Sequence, residues 1–62
     1  MGYVIIEKEK AEKEIEAALK LHCRRRARHL CKIFAETFGA DPDDKKMMYS
    51  EMKVRYGLQD LN

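Results

Sequence analysis

The sequence predicts an all-α fold: a helical hairpin with a long helix over about residues 8–38 and a short helix over about 42–56, paired into a homodimeric helical bundle. Three observations predict it. From Glu7 to Phe38 there is neither Gly nor Pro, and the stronger helix formers Glu, Lys, Ala, Leu and Arg dominate. Gly39, Ala40, Asp41 and Pro42 then punctuate the chain with a stop and a start. Apolar residues recur on both sides of that punctuation at the three-and-four spacing of a helix face.

Residues 3–6, Tyr-Val-Ile-Ile, are aromatic and β-branched and fit a short extended segment as well as a first helical turn, because no turn residue separates them from the helix-forming stretch at Glu7. In the long helix, Glu9 with Lys13 and Glu16 with Lys20 stand four apart with the acid first, the favourable order for such pairs. Its apolar side gathers Ile15, Leu19, Cys23, Ala27, Leu30, Ile33 and Phe34. Gly39 is expected to end it in a left-handed conformation. Asp41 can cap the second helix, Pro42 suits its first position, and Asp43 and Asp44 place negative charge on the positive end of its dipole. Lys53 and Arg55 fall in its last turn, Gly57 is placed to terminate it, and Leu58 is placed to fold back as the accompanying apolar contact. Residues 59–62 read as a tail. With no repeat, linker or low-complexity segment, residues 1–62 form a single domain.

The second helix offers Met48, Met52 and Tyr56 as cover, with Tyr49 beside them and Met47 and Val54 on a neighbouring face. A first helix of about thirty residues spans roughly 45 Å, whereas fifteen residues span about 23 Å. Half of the long stripe is then left bare. A domain of this size is also marginal on its own, burying only about 60% of its unfolded surface. A second copy covering Ile15, Leu19, Cys23, Arg26 and Leu30 answers both needs, so a homodimer is expected. The alternatives are that Tyr3 to Ile6 fold back over the stripe, or that the long helix breaks near the arginines.

Within one helix, Cys23 and Cys31 would stand roughly 12 Å apart, beyond the roughly 7 Å that a disulfide tolerates. Two unbridged thiols suit a reducing compartment, and Val4 to Ile6 make an apolar run too short for a signal peptide or a membrane span. A cytoplasmic protein with no membrane partner is expected.

The net charge of +2 conceals a pattern. Residues 20–32 carry six Lys or Arg and no acid, while the flanking stretches are net acidic. Lys20, Arg24, Arg28 and Lys32 fall at steps of four and predict a continuous basic ridge, widened by Arg25 and His29. Such a ridge suits phosphates, through counterion release and bidentate guanidinium bonding, or an acidic protein surface. A solvated helix face is the bland reading. No Phe, Tyr or Trp lies between Tyr3 and Phe34, which argues against base stacking on single strands. No zinc finger, KH loop or RNP pattern is present, and one long helix fits a helix-turn-helix badly.

Arg26 falls in the apolar sector of the long helix, where its stem is expected to snorkel to water; a pair with Glu51 is the other reading. His22, Cys23, His29 and Cys31 are all zinc-ligand types, yet on one helix the two kinds point to different sides, so no metal or other cofactor is expected. Cys23, Cys31 and Ser50 are the candidate nucleophiles. None sits in a glycine-rich turn, so no enzyme is expected and no catalytic residue is assigned. In size and shape the chain resembles the small helical-hairpin dimers that phages and plasmids use as regulators. The functional expectation is a non-enzymatic regulator that docks on nucleic acid through residues 20–32, or alternatively an adaptor or inhibitor seizing an acidic or helical protein with the same ridge or the methionine face.

Overall fold

The structure is a computed structural model that describes residues 2–59, with side chains from Glu7 onward; the expected tail at 59–62 therefore lies mostly outside the described residues. It is all-helical: α1 (Gly2–Lys20), α2 (Arg24–Phe38) and α3 (Pro42–Arg55). Residues 3–6 belong to α1 rather than to an extended segment.

The single helix expected over 8–38 is two helices, folded back on each other at Leu21, His22 and Cys23. His22 takes φ 60°, the left-handed region. The amide of His22 donates to the Leu19 carbonyl at 3.0 Å and that of Cys23 to the Ala18 carbonyl at 2.9 Å, the paired bonds that close a helix on a left-handed residue. Neither Gly nor Pro marks the place. A left-handed L-residue costs roughly 1–2 kcal/mol, somewhat less for His, which visits that region more readily than most side chains. Against this, the fold-back buries Ile15 completely and leaves Ala18 only 4% exposed. Burying an isoleucine side chain contributes about 1.5–3 kcal/mol, so within one chain the break is favoured over a straight rod that leaves Ile15 bare.

α2 lies between its neighbours and packs on both. Its Ala27, Cys31, Phe34 and Ala35, spaced as one helix face, join Ile15 and Ala18 of α1, Met52 of α3 and Leu58 in the buried core. Leu19, Leu30, Phe38, Met48, Tyr49 and Tyr56 pack around it. Lys8 of α1 stands over the Phe38 ring at 5.5 Å, which sets α1 antiparallel to α2. Glu12 and Arg55 approach within 3.7 Å across α1 and α3, a pair with Arg55 exposed and Glu12 half-buried that is worth little.

The local signals of the last helix act as expected. The Asp41 carboxylate accepts from the Asp44 amide at 2.8 Å, and Asp44 in turn accepts from the Ala40 amide at 2.8 Å. At the far end Gly57 adopts φ 67°, the Leu58 amide donates to the Lys53 carbonyl at 2.7 Å, and Leu58 is fully buried. Gly39 differs from expectation: it is extended, at φ −73° and ψ 141°, not left-handed. A side chain is excluded there for another reason, since an added Cβ would run into Lys45 and stand 2.6 Å from the Ala35 carbonyl oxygen.

Candidate nucleic-acid interface

On α2, Arg25, Arg28, His29 and Lys32 stand at the spacing that keeps side chains on one face. That face lies beside α3, which contributes Tyr49 and Lys53, one turn apart. Together the six line an open cleft of about 730 Å³ between the two helices. Arg28, Tyr49 and Lys53 are half-buried, while Arg25, His29 and Lys32 reach solvent. The Lys53 ammonium lies 4.4 Å from the Tyr49 ring centroid, a cation–π contact that holds both side chains at the α3 wall. No carboxylate is among the described residues that line the cleft.

The ridge expected from the sequence is thus divided. Arg25, Arg28, His29 and Lys32 come together. Lys20 ends α1, on the far side of the break, and does not line the cleft. Arg24 begins α2 and its guanidinium donates to the Gly57 carbonyl at 2.5 Å, tying the start of α2 to the end of α3, where helix carbonyls concentrate negative charge. Tyr49 and Lys53 were not among the sequence candidates. Their four-residue spacing was visible, but only the packing of α3 brings them to the basic stripe.

A second cleft, about 290 Å³, adjoins the first and shares Lys32 and Tyr49 with it. Ala35, Glu36, Pro42, Lys45 and Lys46 complete its wall. On the opposite side of α2, Arg26 is exposed and lines a shallow seam against α1 with Glu14, Ala17, Ala18, Leu21, Cys23 and Leu30. Of the residues expected at a dimer interface, Cys23, Arg26 and Leu30 lie on this seam. Ile15 is buried inside the chain and Leu19 packs against the core, so the bare half-stripe that motivated the expectation is covered internally. The methionine face is likewise mostly internal: Met52 is buried and Met48 half-buried, leaving Met47 and Val54 exposed.

Cys31 is buried, and that burial pushes its thiol above the ordinary value of 9.0; Cys23 is exposed. Burial raises the Tyr56 hydroxyl as well, with Arg55 opposing and Glu12, Glu16 and Cys31 reinforcing the shift. Among the described residues no three His, Cys, Asp or Glu side chains are grouped to hold a metal ion. No described helix is long and apolar enough to cross a membrane.

The chain matches no known family, no curated protein and no solved structure.

Proposed function

We propose that the protein is a non-enzymatic binding module that docks on the phosphate backbone of nucleic acid through the α2–α3 cleft. One observation carries the reading: two helices direct Arg25, Arg28, His29, Lys32 and Lys53 to one concave surface that no described carboxylate lines. The fixed charges of Arg25, Lys32 and Lys53 attract a polyanion, which releases its own counterions on binding. Neutralising about three phosphates gives a slope of log affinity against log salt of about −2.7 on duplex and about −2 on single strands.

A retardation assay with RNA and DNA across a salt series tests this. The combined Arg25→Ala, Lys32→Ala and Lys53→Ala changes should weaken binding to all sequences alike and flatten the salt slope, while Lys13→Ala on α1 should not. Arg24 is left out of the set because it anchors Gly57. Binding that ignores salt, or that survives the triple change, removes the proposal; capture of an acidic protein in its place favours the adaptor reading.

The homodimer belongs to the same proposal, on a surface shifted from the one first expected. Leu21 is 74% exposed and Ile33 46% exposed, both beside the α1–α2 seam, and Glu14 and Arg26 line that seam with opposite charges. In an isologous pairing each copy would set its Arg26 against the other's Glu14 over a shared leucine strip. Sedimentation of the chain and of a Leu21→Lys, Leu30→Lys variant tests it: dimer for the first and monomer for the second are expected, and a monomeric parent chain ends this part of the reading.

A further inference from the structure

The two adjoining clefts differ in chemistry. The larger is lined mostly by basic side chains; the smaller presents mostly apolar surface, lined by Ala35 and Pro42 with Lys32, Glu36, Lys45 and Lys46. Lys32 and Tyr49 form the boundary between the two. A polynucleotide strand offers the matching alternation, an anionic phosphodiester next to a flat ring with polar edges.

Resting on the docking reading above, we infer that the α2–α3 groove takes single-stranded nucleic acid, with a phosphate in the cationic cleft and a neighbouring unpaired base in the smaller cleft against Tyr49. The apolar surface of Ala35 and Pro42 supports the assignment of roles, because a flat ring can pack on it and a phosphate cannot, and Glu36 beside it can accept from the exocyclic amine of a base. Tyr49 is half-buried with the Lys53 ammonium over its ring, yet it lines both clefts, so a base meets it on the part that the ammonium and the core leave open, in a contact tolerant of sequence because every base has a π-face. A duplex reaches the cationic cleft alone, since its bases are stacked within the helix and its phosphates line the outside. The aromatic contact that the basic block lacks in sequence is supplied from the other helix.

Fluorescence anisotropy of the whole chain with a labelled, unstructured oligonucleotide and with the duplex made from it tests the inference. The single strand should bind about tenfold or more tightly than the duplex. Tyr49→Phe should keep that preference and Tyr49→Leu should abolish it, with circular dichroism confirming that each variant is folded. Tyr49 packs against the core, so a second readout on the unaltered chain stands beside the variants: its ring proton resonances should move upfield on adding single strand and stay in place on adding duplex. Equal affinity for the two forms with an unmoved Tyr49 ring overturns the single-strand inference and leaves backbone docking standing. Failure of both forms to bind at low salt overturns the docking reading itself.

Discussion

Substitution at His22 separates a broken helix from a continuous one by sign. With His22 held at φ 60°, a change to Gly removes a strain of roughly 1–2 kcal/mol. The same change loosens the unfolded chain, which takes back about 0.4–1 kcal/mol, so a net gain of about 0.5–1 kcal/mol remains. His22→Ala removes the imidazole without relieving the backbone, and Ala visits the left-handed region less readily than His, so that variant should be less stable than the parent chain. In a continuous helix the order inverts: Ala is the best helix former, and Gly lies about 1 kcal/mol below it. Urea denaturation followed by circular dichroism reads the difference. With a slope near 1 kcal/mol/M, expected at the low end for so short a chain, the midpoint of His22→Gly should rise by about 0.5–1 M. A midpoint for His22→Ala above that of His22→Gly refutes the break at residues 21–23 and restores the long rod with its bare apolar stripe.

Two further outcomes are expected from the packing. Gly39→Ala should destabilise the chain by about 1–3 kcal/mol in the same assay, because the added methyl group meets Lys45 and the Ala35 carbonyl although the φ of −73° itself admits alanine. Stability should also decline in alkali: the folded chain keeps the Cys31 proton above the pH where the unfolded chain releases it, so the unfolded state binds fewer protons and stability falls from about pH 9.0 up to the raised folded value. Below that window the contribution is fully present. Cys31→Ala should flatten the first part of the decline and leave the later part due to Tyr56, and an unchanged profile in that variant would show that Cys31 is not buried as described.

The ends of α3 were legible because single residues settle them locally. Asp41 caps with its own carboxylate, Pro42 has no amide to leave unsatisfied, and Gly57 alone avoids the Cβ penalty at its positive φ. The break between α1 and α2 was legible only as an alternative, a long helix breaking near the arginines, since Leu21, His22 and Cys23 contain no helix breaker to fix its place and Cys23 makes no side-chain cap. There the decision is tertiary: a core that needs Ile15 and Ala18 against Ala27 and Cys31 overrides local helix propensity. Gly39 shows the converse difficulty. Its presence was a sound stop signal, but a glycine can serve either a left-handed turn or a close approach, and only the position of Lys45 tells which. The stripe Arg25, Arg28, His29 and Lys32 was readable from periodicity, whereas Tyr49 and Lys53 depend on which face of α3 turns toward α2.

The break also changes what the positive charge can bind. On a straight rod, Lys20, Arg24, Arg28 and Lys32 would form a convex ridge, able to touch a backbone along a line but unable to enclose any part of it. Folding back at His22 separates Lys20 from the others, and Arg24 commits its guanidinium to the Gly57 carbonyl. What remains faces α3, so the charges become one wall of a cleft whose other wall carries an aromatic ring and a further cation. Under the proposed docking, a cleft about 10 Å long, the distance from Arg25 to Lys32 along the helix, would engage few phosphates and so give a shallow salt dependence. Affinity beyond that modest electrostatic share must come from contacts a ridge cannot make. The Tyr49 ring at the junction of the two clefts is the group placed to make one.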